Sequence, residues 1–196
     1  MIEIRIGFEE KYRHQAARIY VNAFKSKFES LIGNEATIQS LFEKAMNPEY
    51  ALCAYSDKDE LVGIAGFNVG NKKLVDMKIK DFIYQFGYLK ALWKAFLVEI
   101  IFTRKPNSNQ ELLMDGIAVK EEFRGQGIGS QLFDALMKYA EVNNYRKVRL
   151  DVIDENPRAK SLYQKIGFQK KGYQKVPKFL SKKIGVSGVT SMVKEL

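Results

Sequence analysis

A glycine-rich turn between a predicted strand and a predicted amphipathic helix constrains this chain more than any other feature of its sequence. The turn reads Phe123-Arg-Gly-Gln-Gly-Ile-Gly-Ser130. It follows a strand-like apolar run over residues 111–119, and it precedes apolar positions at helical spacing: Leu132, Phe133, Leu136, Met137 and Ala140. A turn that leads directly into a helix exposes backbone N–H groups at the positive end of the helix dipole. Its three glycines in five positions let a ligand approach that backbone closely. The sequence therefore predicts a site for a phosphate or pyrophosphate.

The turn fits neither of two familiar nucleotide-binding glycine motifs. A Walker A loop places Lys-Ser or Lys-Thr directly after its last glycine, whereas Gly129 is followed by Ser-Gln. The G-x-G-x-x-G/A fingerprint of dinucleotide-binding folds also fails. Its last position is Ser130 when counted from Gly125, and Leu132 when counted from Gly127. A P-loop NTPase and a Rossmann oxidoreductase are therefore disfavoured.

Length and composition fit one globular domain. With 196 residues, 46% of them hydrophobic, the chain can bury a substantial core, and we expect residues 1–196 to form a single domain. One cysteine, Cys53, and one histidine allow no intramolecular disulfide and leave too few soft ligands for a zinc site, so we expect no metal. The N-terminus lacks a signal-peptide pattern, and no apolar run reaches the roughly 18 residues of a membrane span. We therefore expect a cytoplasmic protein.

The order of the predicted elements is mixed α/β. Strands are predicted over residues 2–6, 50–55, 61–69, 111–119, 147–153, 168–176 and 189–195, the last two as an antiparallel pair. Helices are predicted over residues 9–28, 35–46 and 157–165, and from the glycine turn to about 143. Because strands and helices do not alternate strictly, a wholly parallel sheet is not expected.

The segment over residues 81–104 differs from the rest of the chain in its aromatic content. Its aromatic residues are Phe82, Tyr84, Phe86, Tyr88, Trp93, Phe96 and Phe102. Their spacing is compatible with a helix. We interpret the segment first as a helix packed on the sheet or as a homodimer interface, and second as a lid that lines an apolar substrate pocket. Contact with a membrane surface is disfavoured by the mixed charges of the polar side.

Positive charge is concentrated near the C-terminus. The net charge is +9, and residues 158–183 contain nine basic and no acidic residues. Such a strip attracts polyanions, including a nucleotide cofactor, an acidic substrate or nucleic acid, but a solvated lysine-rich hairpin explains it equally well. Since the strip has few arginines that could fork onto phosphates, nucleic acid or a ribosome is the less favoured partner.

Three motifs lie at set distances from one another within residues 110–170. Arg124-Gly-Gln-Gly-Ile-Gly129 matches an R/Q-x-x-G-x-G/A signature, and Gly116-Ile-Ala-Val119 precedes it. Asn156-Pro-Arg-Ala-Lys-Ser-Leu-Tyr163 follows, and Gly167-Phe168 comes after it. Together these motifs resemble the GNAT superfamily of acetyl-CoA-dependent N-acetyltransferases, in which they form the fourth strand and the two cofactor motifs. The resemblance is strong over residues 110–170 and rests on element order over 1–70 and 170–196.

The resemblance implies a GNAT fold, which is α/β with a central mixed, mostly antiparallel twisted sheet flanked by helices. Residues 110–170 would be the cofactor-binding core of a single acetyltransferase domain. Residues 72–108 have no counterpart in the minimal fold, and we expect a helical insertion at about 74–106.

The resemblance also implies how acetyl-CoA is held. The backbone of Ile117 and Val119 would pair with the pantetheine arm like an added strand, and the N–H groups from Gly125 to Ser130 would hold the pyrophosphate. A backbone N–H near Ile117 would polarise the thioester carbonyl. Asn156 is either a helix cap, a cofactor contact or both. The expected cofactor contacts are Ile117, Ala118, Val119, Arg124, Gly125, Gln126, Gly127, Ile128, Gly129, Ser130, Asn156 and Tyr163.

Acetyl transfer to an amine poses two proton problems. A lysine-like amine has a pKa of about 10.4, so it must lose a proton before it attacks. The departing thiolate must then be protonated or stabilised, and the resemblance places Tyr163 beside the sulfur as general acid. Asp115 and Asp151 are the two expected candidates for the base, and Glu111 is a weaker one. Ordered water alone remains an alternative.

The leading interpretation is an enzyme that moves an acetyl group from acetyl-CoA to a primary amine by direct attack. A small-molecule amine is favoured as acceptor, because an aromatic insertion could enclose it. The alternatives are an acetyltransferase for a protein N-terminus or lysine, including a ribosomal protein, a non-catalytic acyl-CoA-binding regulator, and a nucleic-acid or ribosome binder.

Overall fold

The fold is organised around a mixed β-sheet. A computed structural model describes residues 2–29, 32–92, 94–95 and 104–196. The strands are β1 (Glu3–Ile6), β2 (Ala51–Tyr55), β3 (Leu61–Val69), β4 (Lys72–Lys73), β5 (Glu111–Val119), β6 (Lys147–Ile153), β7 (Gln169–Lys175) and β8 (Gly188–Glu195). Across the described ranges they form an eight-stranded sheet in the order β1-β2-β3-β5-β6-β8-β7, with β4 attached to β3. β5 and β6 are parallel, and the other paired strands are antiparallel. This arrangement confirms the predicted mixed, mostly antiparallel sheet.

Helices cover both faces of the sheet. They are α1 (Arg13–Glu29), α2 (Glu35–Ala45), α3 (Ile79–Phe86), α4 (Ile128–Val142), α5 (Pro157–Lys165) and α6 (Lys178–Ile184). β5, β6 and α5 have the predicted bounds, whereas the short β4 and α6 were not predicted. The first predicted helix begins as a 3-10 turn over Glu10–Tyr12. None of the helices in the described ranges is both long enough and apolar enough to cross a membrane.

The sheet divides between β5 and β6. Their parallel ladder covers only residues 111–114 of β5 and 147–150 of β6. Beyond it, β5 stays paired with β3 as far as Val119, while β6 stays paired with β8 as far as Ile153. The two strands therefore part after Met114 and Leu150, and the sheet opens into a slot between its two halves.

A glycine in β3 lets α4 approach the sheet closely. A Cβ added to Gly63 would lie 3.0 Å from Cδ1 of Leu132 and 3.3 Å from Cγ2 of Ile128. Both side chains are buried, and a fully buried Leu or Ile contributes about 1.5–3 kcal/mol. The start of α4, and with it the glycine turn, is thereby fixed beside the end of β5.

A buried ion pair joins the starts of β5 and β6. The Glu111 side chain is 1% exposed and accepts a hydrogen bond from Arg149 Nε at 2.7 Å. Lys147 Nζ lies 3.4 Å from the other oxygen, and the Asn107 N–H donates to the carboxylate at 3.0 Å. Burial alone would raise the pKa of the Glu111 carboxyl, but these donors, Arg149 first, outweigh it and hold the pKa below its ordinary value. Glu111 therefore serves as an ionised structural residue.

The aromatic segment packs on α2 where it is described. Phe82 of α3 is buried, and Gln85 Nε2 donates to Ser40 Oγ of α2 at 3.0 Å. Tyr84 and Tyr88 are 77% and 65% exposed, so the aromatic residues divide between the core and the surface. The helix α3 agrees with the expected helical insertion. Three further aromatics of this segment lie outside the described residues: Trp93, Phe96 and Phe102.

The basic strip is divided equally among α5, the outermost strand β7 and α6, with three of its nine basic residues on each. All but one of the residues of β7 are exposed, and Lys170, Lys171 and Lys175 lie on it. Charged side chains on an edge strand, lysine above all, discourage pairing with the edge of another chain. The fold thus gives the three lysines of β7 a role that needs no polyanionic partner.

We expect Arg149→Met to lower the free energy of unfolding by roughly 3–5 kcal/mol, because it leaves the buried Glu111 charge without its partner. Combining it with Glu111→Leu should recover most of this loss, since the buried Glu111 charge is then removed together with its partner. Urea unfolding of the wild type, the two single variants and the double variant at pH 7 measures both effects. A double variant as unstable as Arg149→Met alone would contradict the explanation.

The same set of proteins gives a pH prediction. Because the folded-state pKa of Glu111 lies below its unfolded value, the contribution of the pair is fully present above the unfolded pKa. It is lost as the pH falls through the lower folded pKa. The stability of the wild type should therefore fall in acid more steeply than that of the double variant, in unfolding curves recorded from pH 7 to pH 3.

Candidate functional site

The glycine turn presents a row of backbone N–H groups to open space. Gly125 and Gly127 have φ angles of +77° and +78°, which side-chain-bearing residues rarely adopt. A Cβ added at either glycine, or at Gly129, would meet no atom within 4 Å. Within the described chain, the Gln131 N–H donates to Gly127 O, but no backbone acceptor is found for the N–H groups of residues 125–130. These amides can therefore bind an anion at the positive end of α4.

Neither the backbone conformation nor the packing of the protein requires a glycine at position 129. The Gly129 backbone is not in the left-handed region, and a side chain there would have open space around it. Glycine inside a helix costs roughly 0.5–1 kcal/mol relative to alanine. A ligand that approaches this backbone closely would account for the residue.

A polar groove of about 1170 Å³ adjoins the turn. Val119 and Arg124 line it on the side of the turn, and Arg18 and Asn22 line it on the side of α1. The turn is therefore not occluded, and an extended polar ligand has room beside it.

The edge of β5 that faces the slot offers backbone groups for pairing. The Lys120 N–H donates to Val62 O of β3 at 2.9 Å. Since backbone groups alternate between the two edges of a strand, those of Ile117 and Val119 point away from β3, toward the slot. Beyond Met114 this edge has no β6 partner. An extended ligand could add to it as a strand does.

Three further residues expected to contact the cofactor, Ala118, Arg124 and Gln126, lie at the end of β5 or in the turn and contact other parts of the protein. Ala118 is buried, pairs with Ile64 of β3 and contributes to the core. The exposed Arg124 donates from Nε to Val119 O at 3.2 Å, so its guanidinium already lies on the open edge of β5. Gln126 donates from its side chain to Glu122 O at 3.3 Å. The structure brings these residues together at the end of β5.

Tyr163 lies beside the helix that follows the turn. Its ring centroid is 6.5 Å from that of Phe133 in α4 and 5.9 Å from that of Phe168. Burial raises the pKa of the Tyr163 hydroxyl above its ordinary value, so the group stays protonated near neutral pH. Among the described residues the hydroxyl has no hydrogen-bond partner. It is therefore available as a donor.

Asn156 caps helix α5. Its Oδ1 accepts a hydrogen bond from the Ala159 N–H at 3.1 Å. The cap role expected from the sequence is therefore confirmed. The side-chain NH₂ is a further donor that the cap does not use.

Asp115 is the extra residue of a β-bulge. Its neighbours Gly116 and Met114 pair with consecutive residues of β3, so Asp115 is inserted between them. It is also the first residue of β5 beyond the parallel ladder with β6. The exposed carboxylate accepts a hydrogen bond from the Tyr20 hydroxyl at 2.9 Å. A carboxylate thus lies where the two strands part.

Asp151 occupies the corresponding position of β6 but is engaged in ion pairs. Ser191 Oγ donates to its Oδ1 at 2.5 Å. Arg104 Nε and Arg149 Nη1 each lie 3.4 Å from Oδ2. To accept a proton from a substrate, this carboxylate would have to give up contacts that compensate its charge.

Comparison with known proteins identifies the family. A profile of the acetyltransferase (GNAT) family matches residues 14–168. The chain belongs to this family.

Relatives of this GNAT protein match part of it. The spermine/spermidine N(1)-acetyltransferase of Bacillus subtilis is 30% identical over 91 residues, or 46% of this chain and 53% of that protein. The thialysine N-epsilon-acetyltransferase of Bos taurus is 38% identical over 87 residues, or 44% of this chain and 42% of that protein. The chain thus spans about half the length of the curated relatives it matches.

A solved structure from Corynebacterium glutamicum, described as histone acetyltransferase HPA2 and related acetyltransferase, has a similar fold. Its TM-score is 0.70 at 18% identity, over 98% of this chain and 95% of that one. At this level of identity the similarity shows the fold alone.

Two sets of contacts in this GNAT site were not predicted from the sequence. One is the hydrogen bond from Tyr20, a residue that helical spacing identifies only as part of an apolar helix face. The other is the set of partners of Asp151. Arg149 and Asp151 are two apart on a predicted strand and therefore share a face, so their contact could have been predicted. Nothing in the sequence indicates Arg104 or Ser191.

We expect Gly127→Val to abolish binding of CoA in a calorimetric titration, because a branched side chain would cover the N–H groups and strain the left-handed backbone. Gly185, at the end of α6, is a matched control with φ of +66° and no atom within 4 Å of an added Cβ. Gly185→Val should carry comparable strain and still bind CoA like the wild type. An equal loss of binding in both variants would mean that strain, rather than the turn, is responsible.

Proposed function

We propose that this protein transfers the acetyl group of acetyl-CoA to the primary amine of a small molecule by direct attack. The observation that carries the proposal is the alignment of three features along β5: a carboxylate at the bulge, a backbone edge without a strand partner beyond it, and the unbonded N–H groups of the glycine turn at its end. The carboxylate suits an amine, the open edge suits a pantetheine arm, and the N–H groups of the turn suit a pyrophosphate.

The cofactor binds mainly through the backbone. The pyrophosphate lies against the N–H groups that precede α4, and pantetheine adds to the open edge at Ile117 and Val119. The Arg124 guanidinium, which already lies on that edge, supplies a cation for the phosphates. A backbone N–H near Ile117 polarises the thioester carbonyl, and such fixed dipoles need no reorganisation during reaction.

Direct attack is favoured over a covalent acyl-cysteine route. Cys53 is the only cysteine of the chain, and it is fully buried in β2. Burial raises the pKa of its thiol to about 12, so the nucleophilic thiolate is scarce at neutral pH. The acetyl group is therefore passed from sulfur to nitrogen in one transfer.

Asp115 is the base. The acceptor ammonium loses one proton to this carboxylate, directly or through water, and its lone pair then forms the new C–N bond as the C–S bond breaks. A second proton leaves the nitrogen once the C–N bond has formed, and it balances the proton that the departing thiolate takes up. The exposure of Asp115 and its position at the bulge support this role. Asp151 is the weaker candidate because its oxygens are occupied by two guanidinium groups and a hydroxyl.

Tyr163 assists the leaving thiolate. Its hydroxyl donates to the sulfur, on which one proton finally resides. The unperturbed pKa of a thiol is about 8.5, so the hydroxyl stabilises the thiolate by hydrogen bonding more readily than by complete transfer. The protonated state of Tyr163 near neutral pH supports this assignment.

A small amine is the acceptor class that we favour. The names of two relatives specify spermine or spermidine and thialysine, which are small amines. The exposed Tyr84 of the segment after β4 lies beside α2, with its ring centroid 4.0 Å from Lys44 Nζ, and it offers apolar surface there. A protein N-terminus or lysine is the alternative acceptor.

An assay of thiol release tests the function. Acetyl-CoA is incubated with the protein and with spermidine, thialysine, tyramine or a peptide that begins with alanine. Release that depends on one of the small amines, with an acetylated product identified by mass spectrometry, supports the proposal. A preference for the peptide would mean that the acceptor is a protein N-terminus and not a small amine. Binding of acetyl-CoA without release for any amine would contradict an enzymatic role.

We expect Tyr163→Phe to lower kcat by roughly 10²-fold, a size typical of general acid–base catalysis, with little change in acetyl-CoA affinity. Tyr139→Phe is the matched control. Tyr139 is also half-buried on a helix, with its ring centroid 4.8 Å from that of Phe67, but it lies near the end of α4. The Tyr139→Phe variant should have the same kcat as the wild type. Unchanged kcat in Tyr163→Phe would remove that residue from the mechanism.

A further inference from the structure

Tyr20 makes a direct contact with the carboxylate at the bulge. This tyrosine lies on α1 and is only 5% exposed. Its hydroxyl donates a hydrogen bond to Asp115 Oδ2 at 2.9 Å. Burial, followed by the negative charge of Asp115, raises the pKa of the Tyr20 hydroxyl well above its ordinary value. The hydroxyl therefore remains a donor over the whole range in which an acetyltransferase would work.

The orientation of this donor is fixed by its surroundings. The Tyr20 ring centroid lies 4.9 Å from that of Phe24 and 5.8 Å from that of Phe42 in α2. A Cβ added to Gly116 would lie 2.7 Å from Cζ of Phe24, so the absence of a side chain there lets α1 lie close to the bulge. A buried ring between two others has few rotamers available, and its hydroxyl is held at one place.

We propose that Tyr20 is a positioning residue, which holds the Asp115 carboxylate ionised and aimed at the acceptor amine. The inference rests on the proposed function, in which Asp115 is the base. A bulge residue lacks a cross-strand neighbour, so its side chain needs support from another element, and α1 supplies it. A donated hydrogen bond stabilises the charged form of a carboxylate, which is the form that accepts a proton.

Other charged groups lie near the bulge and must be considered. On the neighbouring strand these are Asp151 and the two arginines that hold it, Arg149 and Arg104. On α1 the titratable group in contact with Asp115 is the neutral Tyr20, and the residue of β3 beside the bulge is the uncharged Gly66. Removal of the Tyr20 hydroxyl leaves all of these charges in place, so a change in the pH profile can be attributed to the lost hydrogen bond.

The test is Tyr20→Phe, which keeps the packed ring and removes only the donor. With the panel amine that has the highest kcat/KM, we expect kcat to fall by roughly 10- to 100-fold, the range for a hydrogen bond to a charged group. The acidic limb of the pH profile of kcat/KM should move to higher pH by about one unit, because the carboxylate protonates more easily. The Kd for CoA should not change.

A double-variant cycle separates positioning from a general effect on folding. If Tyr20 acts through Asp115, Tyr20→Phe should have little further effect in an Asp115→Asn background. Tyr173→Phe is the matched control, since that hydroxyl also donates to a carboxylate, Asp154, at 2.9 Å but lies on β7. It should leave kcat and the pH profile unchanged.

The outcomes distinguish the two proposals. Absence of acetyl transfer by the wild type to any amine overturns the proposed function. Transfer by the wild type together with an unchanged Tyr20→Phe variant, or with effects that add fully in the double variant, overturns the positioning role alone. Because Phe preserves the ring contacts, all four proteins can be compared below their thermal midpoints, which are measured alongside.

Discussion

The separation of β5 from β6 is the constraint on which the rest of this structure depends. A parallel ladder of four residue pairs joins two halves of the sheet, and each strand then follows a different antiparallel neighbour. The divergence leaves backbone N–H and C=O groups of β5 without a strand partner. Backbone groups that lack a partner need one from water or from a ligand. The same break in pairing that weakens the sheet therefore creates a place for an extended molecule to bind.

The break also makes two neighbouring carboxylates different. Asp115 and Asp151 are the first residues beyond the ladder on their respective strands, yet one is a bulge residue that accepts a hydrogen bond from a tyrosine and the other is enclosed by arginines. A pair of titratable groups whose surroundings differ in this way can divide the tasks of proton transfer and structural support. The buried pair of Glu111 and Arg149 is connected to Asp151, because Arg149 contacts both Glu111 and Asp151. These three residues therefore form one structural ion-pair network.

Much of this arrangement could be predicted from the sequence, because it depends on local signals. The bounds of β5, β6 and α5 follow from apolar patterns and from Asn-Pro at a helix start, and the open turn follows from its glycines. The tertiary contacts could not be predicted. Tyr20 and Asp115 are 95 residues apart, and only the packing of α1 on β5 makes them hydrogen-bond partners. The insertion of β8 between β6 and β7 is likewise a matter of pairing between distant segments.

The two sides of the slot offer different kinds of groups to a ligand. On the side of the glycine turn, the turn and the edge of β5 offer backbone amides, whose chemistry does not depend on the side chains present. On the α1 side, Tyr20, Phe24 and Asp115 offer side chains, and single substitutions change what they bind. Substitutions of exposed side chains leave the N–H groups of the turn in place, because the geometry of the turn needs little more than glycines. In the proposed function, the side chains that α1 brings to Asp115 would therefore contribute to the choice of acceptor.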